Sequence, residues 1–145
     1  MTSPLQPQHQ IAALPVRERD GKLEVCLITT RETRRWTIPK GWPMKGKKDR
    51  VAAAIEANEE AGLIGEVGKK PVGSFLYWKR REGFLDLIRV EVYRMDVVSQ
   101  LPTWKESAAR EAAWFPVRTA ATLVDEQGLT ALISKLETAE HMAEK

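Results

Sequence analysis

The stretch IEANEEAGL, Ile55 to Leu63, sets glutamates at positions 56, 59 and 60 and closes on Gly62. Residues three and four apart share one face of an α-helix. At roughly 100° per residue the three carboxylates fall within an arc of about 100°. Like charges at that spacing cost a few tenths of a kcal/mol per pair. A cation offsets that cost, and clustered carboxylates are hard oxygen ligands suited to Mg2+ or Mn2+. A solvated acidic face is the alternative reading of the same residues. Asp49 is placed to cap a helix from about Arg50 to Ala61, and Gly62 to end it. In this reading Val51, Ala54, Ile55, Asn58 and Ala61 face a sheet. Ala52 and Ala53 lie on the carboxylate side, where short side chains leave room for a ligand.

Working outward, Ile11–Arg17 and Lys22–Thr30 read as strands joined by a hairpin turn at Arg19-Asp20-Gly21. A polar loop at 31–35 leads to a short strand at Trp36-Thr37-Ile38. Pro39 to Lys48 holds two prolines and two glycines and reads as loop. After the helix, Val72–Trp78 and Leu85–Val98 read as strands, the second long enough to need a bulge or bend. Ala112–Phe115 is a further strand, and Pro116 opens a short helix through about Val124. A last helix, from about Glu126 to Ala139, buries Leu129, Leu132, Ile133 and Leu136. The expected fold class is α/β, a mixed sheet flanked by helices. Residues 1–8 read as a loose tail and 9–142 as a single domain.

The 145 residues are 43% hydrophobic and 30% charged, which is ordinary for a globular domain. The single cysteine, Cys26, sits in an apolar strand and reads as buried and inert. The N-terminus has neither a basic nor an apolar signal-like region, and no apolar run approaches the roughly 20 residues a membrane span needs. A cytoplasmic protein without membrane contact is the expectation. Between Arg31 and Arg50 eight basic residues face two acidic ones, a local +6 against +3 for the whole chain. Lys79, Arg80 and Arg81 form a second basic knot. Such clusters favour a phosphate-rich small molecule. No nucleic-acid motif accompanies them, so a nucleic-acid partner is not expected. Trp36, Trp78 and Trp114 read as core or pocket wall, while Trp42 and Trp104 stand in loops. His9 and His141 read as remote from any ligand spacing.

Gly41, Glu56, Glu59, Glu60, Gly62 and Leu63 also stand at the spacing of a known signature. The segment resembles the Nudix box: G, five residues, E, seven residues, then REUxEExGU, where U is a bulky aliphatic. Lys47 stands where the family usually has Glu, and Ile55 where it usually has Arg. In the family those two serve mainly as ion-pair support, and Ile55 is expected to replace that support by apolar packing. The resemblance extends over most of the chain, and RETRRWTIPKG, KPVGSFLYWKR and REAAWF look most like the diphosphoinositol polyphosphate and diadenosine polyphosphate phosphohydrolase branch.

The resemblance implies a Nudix-type α/β/α sandwich and a metal-dependent pyrophosphohydrolase, monomer or homodimer, using Mg2+ or Mn2+. Glu56 and Glu60, with Glu59 and the Gly41 carbonyl, are the implied metal ligands. Glu59 is the first candidate for the general base and Glu111 the second. Arg31, Lys40, Lys79, Arg81 and Arg110 are candidates for substrate phosphate, with Thr29 and Thr30 in reach by the same resemblance. A nucleoside triphosphate or nucleoside-diphosphate-sugar hydrolase is an alternative, for which a base-stacking Trp matters more. A non-catalytic binding module for RNA or a regulatory nucleotide is another, and the intact glutamate trio argues against it.

Overall fold

A computed structural model describes residues 7–143 of the chain. The first six residues of the expected tail and the side chain of His141 lie outside what it describes. Strands β1 (Gln8–Arg19) and β2 (Lys22–Thr29) form the expected hairpin, with Asp20 and Gly21 both at positive φ in the turn. Next come β3 (Trp36–Thr37), β4 (Lys40–Gly41), helix α1 (Asp49–Ala61), β5 (Leu63–Val67), β6 (Gly73–Arg81) and β7 (Phe84–Gln100). Strand β8 (Ala112–Pro116) and helices α2 (Val117–Leu123) and α3 (Gln127–Ala143) complete the chain.

The sheet is mixed. β1 runs parallel to β7 and antiparallel to β2, so the order β3-β2-β1-β7-β5 places β1 at its centre. Both faces of β1 are covered, which is why Ile11–Val16 is one unbroken buried apolar run. Side chains alternate between two cores. Ala12, Leu14, Val16, Val90 and Val92 join Leu129, Ile133 and Leu136 under α2 and α3. Ile11, Ala13, Cys26, Ile28, Tyr93 and Met95 pack under α1. The helix–sheet–helix sandwich expected from the sequence is the observed fold.

Several local expectations change. Lys48, not Asp49, is the N-cap residue of α1, and no side chain caps that end. Gly62 ends the helix as expected, at φ +71 with Trp104 packed against its Cα face. The buried face of α1 is rotated from the one expected: Ala61 is buried as expected, but Ala52, Ala53, Ala57 and Glu60 turn inward with it. Val51 is 40% exposed, and Ile55 is only half-buried at the flank. Small alanines let the helix approach the sheet closely, and that approach carries the Glu60 carboxylate into the interior. Strands β4 and β5 were not expected. The irregularity anticipated in β7 is present: Ile64 pairs with Ser99 and Gly65 with Val97, so Val98 is the extra residue on the β7 side of the ladder. Trp78 is exposed rather than core.

Candidate active site

Strand β4 pairs with β1 through Ile11–Gly41 and Ala12–Lys40, which pins the Gly41 backbone beside α1. A side chain at Gly41 would collide with the Glu56 carboxylate, so glycine there leaves the space that Glu56 fills. Glu60, one turn on, is 3% exposed. Burial, then a hydrogen bond with Glu56, push its carboxyl up to about 9 against the pull of Arg110 and Lys40. Two carboxyl groups in contact one turn apart, beside the Gly41 backbone, offer the hard oxygen donors that a divalent cation takes. The donor set therefore fits Mg2+ or Mn2+.

Arg110, from the segment ahead of β8, closes the far side. Its guanidinium donates to Glu106 at 2.7 Å and to the Thr29 carbonyl at 3.0 Å, and stands 3.9 Å from Glu60. Arg31 donates to the same Glu106 oxygen at 2.7 Å. Burial pushes Glu106 up, but hydrogen bonds from Arg110 and Arg31 outweigh it and hold the carboxyl below its ordinary value. Glu106 was not singled out from the sequence. Its one signal was the four-residue spacing to Arg110.

The remaining candidates divide by what already holds them. The buried Thr29 accepts a hydrogen bond from the Glu111 amide at 2.9 Å, tying the end of β2 to the start of β8. Thr30 is hydrogen-bonded to Thr33 at 2.7 Å and accepts from the Arg35 amide, shaping its own turn. Glu59 is half-buried, with Lys105 at 3.5 Å. Glu111 is exposed and 3.9 Å from Arg34. Lys40 reaches over the Tyr77 ring at 5.1 Å. Burial holds its ammonium below its ordinary value, while Glu60 and Glu126 pull it back up.

Further out, Trp42 is 39% exposed, with Lys79 and Arg81 at 5.4 and 5.7 Å from its ring centre. Arg81 is also paired with Asp86 at 2.9 Å. Gly41, Glu56, Glu60 and Arg110 thus converge in one centre around the buried Glu60, with the Lys40 ammonium also held out of water beside it, while Lys79 and Arg81 stand outside it next to Trp42.

Residues 7–134 match the model of the NUDIX domain. Solved structures with the same fold include a C. elegans Ap4A hydrolase binary complex, at TM-score 0.68 and 18% identity, covering 95% of this chain and 99% of that one. The NUDIX domain of Shewanella oneidensis NrtR complexed with ADP ribose superposes at TM-score 0.70 and 11% identity, over 92% and 89% of the two chains. The MutT protein of Methanosarcina mazei Go1 gives TM-score 0.68 at 16% identity, over 94% and 98%. At these identities the structures speak for the fold, and the domain match speaks for the family. The chain belongs to the NUDIX domain family and is a hydrolase of phosphoanhydride bonds.

Proposed function

We propose that the protein is a Mg2+-dependent pyrophosphohydrolase acting on a polyphosphorylated small molecule, a diadenosine polyphosphate or a diphosphoinositol polyphosphate. The observation that carries this reading is the Glu56–Glu60 pair packed against Gly41, with Arg110 at its edge. Glu56, Glu60 and the Gly41 carbonyl hold the cation, with Glu59 as a further ligand or as the base. Once bound, Mg2+ supplies Lewis-acid stabilisation of phosphate charge and acidifies water at the site.

The protein's own groups do the rest. Arg110 holds Glu60 in place and, through Thr29 and Glu106, ties the helix face to the opposite strand. Glu59, at the border of the centre, takes the proton of the attacking water; Glu111, exposed beside Arg34, is the second candidate for that role. Lys40 beside Tyr77, Lys79 and Arg81 beside Trp42, and Arg31 on Glu106 are the groups that meet substrate phosphate. Among the described residues no helix is long and apolar enough to cross a membrane. A cytoplasmic monomer or homodimer completes the reading.

A second reading, nucleoside triphosphate or nucleoside-diphosphate-sugar hydrolysis, is favoured by one observation. Trp42 is exposed between two cations, where a base can stack. A screen of dinucleoside polyphosphates, inositol pyrophosphates, nucleoside triphosphates and diphosphate sugars with Mg2+ and with Mn2+ tests both. The proposal expects the highest kcat/KM for substrates with long phosphate chains. Preference for a diphosphate sugar, lost in Trp42→Ala, would replace it with the second reading.

A further inference from the structure

Away from the Glu56–Glu60 centre, three side chains from three elements meet on the α1 side of the sheet. His9 comes from β1, Glu91 from β7, and Asp49 is the first residue of α1. One ligand atom from each lies within 4.8 Å of the other two. His9 Nε2 stands 3.6 Å from Glu91 Oε2 and 3.8 Å from Asp49 Oδ2, with side chains 35–40% exposed. Both separations are too long for hydrogen bonds. They match two donors on one ion, since ligands each about 2.0–2.2 Å from a metal lie at most about 4.4 Å apart. Bringing the Asp49 and Glu91 carboxylates to that distance needs only a small adjustment of half-exposed side chains.

The setting is built rather than incidental. The β1–β7 ladder pairs Ile11 with Glu91 and His9 with Arg89, so two of the donors are fixed by one parallel register. A cavity of about 320 Å³ opens at Asp49, lined also by Lys48, Arg50, Lys69 and Tyr93.

We infer that His9, Asp49 and Glu91 form a second metal site, for a borderline divalent cation such as Zn2+. One imidazole and two carboxylates suit Zn2+ better than Mg2+, which prefers oxygen ligands throughout. Three protein donors leave a coordination position open toward the cavity, where the cations of its wall favour water or a small anion as the fourth ligand. By joining Asp49 to β1 and β7, the ion clasps the uncapped start of α1 to the sheet. The site is separate from hydrolysis and does not depend on the activity assigned above.

The test titrates the full chain with Zn2+ by calorimetry in excess Mg2+, and with Co2+ by visible absorption. The inference expects one Zn2+ site, Co2+ bands of imidazole–carboxylate ligation, and a higher Tm with Zn2+. His9→Ala and Glu91→Gln should each weaken Zn2+ binding by at least about tenfold, since even loss of a ligand's supporting partner costs that much. Both variants should keep wild-type hydrolysis in Mg2+, and Glu56→Gln with Glu60→Gln should keep the Zn2+ site. No Zn2+ binding, or binding that survives His9→Ala, would show the trio to be an ion pair only and overturn the inference. A chain that binds Zn2+ through His9 but cleaves no phosphoanhydride would uphold it while removing the hydrolase reading.

Discussion

Arg110 and Arg81 carry the same guanidinium group, yet the molecule uses them in opposite ways. Arg110 is 16% exposed and spends its donors on Glu106 and the Thr29 carbonyl, beside the buried Glu60. Arg81 is 35% exposed, pairs with Asp86 on the neighbouring strand, and leans toward Trp42. In the centre, charge is held by the fold and cannot leave without exposing another charge. At Arg81, the charge has a local partner in Asp86 and water within reach. The difference separates groups whose loss damages stability and chemistry from groups whose loss changes binding alone.

The largest effect expected from breaking this contrast belongs to Arg110→Ala. It removes the contacts to the Thr29 carbonyl and to Glu106, leaving Glu106 to Arg31 alone, so urea unfolding should show a loss of about 1.5–3 kcal/mol, the range for hydrogen bonds to charged groups. A loss below about 0.5 kcal/mol would place Arg110 with Arg81. Next comes the pH dependence of the centre. Glu60 has its folded pKa raised to about 9 by burial and by Glu56, above the ordinary carboxylate value near 4.3. The folded state therefore holds that proton more tightly than the unfolded state. Its contribution is complete below pH of about 4.3 and is lost as pH rises through about 9. In EDTA, Tm should fall across that window, and Mg2+ should flatten the fall. A Tm slope identical with and without Mg2+ would contradict the pairing of Glu56 with Glu60.

Outside the centre, Arg81→Ala should raise KM for a substrate with four or more phosphates about tenfold, the low end for a charge-assisted contact, while kcat stays unchanged. Added salt should weaken the same substrate, because exposed charges are screened over about 8–10 Å. A fall in kcat instead would move Arg81 into the centre. The smallest effect is expected from Ile55→Arg. Ile55 lies half-buried at the flank of α1 rather than under it, so chemical denaturation should register less than about 0.5 kcal/mol. A loss of 1 kcal/mol or more, beyond the range of about 0.5 kcal/mol usual for surface changes, would restore the packing role that the sequence suggested.

How far the sequence could be read follows the same division. Strands β1 and β2 and helix α1 were legible because apolar runs, a turn at Asp20-Gly21 and a stop at Gly62 are local signals. Strand β5 was not, since the apolar Ile64 lies on its exposed face and Gly65 offers no side chain to its inner one, directly after the helix stop. Strand β4 was hidden because two residues, Lys40 and Gly41, set between Pro39 and Trp42-Pro43, carry no period. The glutamate trio was legible through its spacing, but which way it faces was not. Acidic residues are ordinarily assigned to water, whereas the close approach of Ala52, Ala53 and Ala57 takes Glu60 inside. Glu106, and the meeting of His9 with Asp49 and Glu91, depend on contacts between segments far apart in sequence. No spacing rule reaches those.

The central claim is that Glu56 and Glu60, packed on Gly41, hold the cation that makes the chain a hydrolase. Its most direct test is the initial rate of phosphoanhydride cleavage in Mg2+ by wild type and Glu60→Gln, with circular dichroism verifying the fold. An amide keeps the shape and removes the charge, so the rate should fall at least about 100-fold, the equivalent of several kcal/mol of transition-state stabilisation. Wild-type rates in a folded Glu60→Gln variant, or in wild type with excess EDTA, would contradict the account.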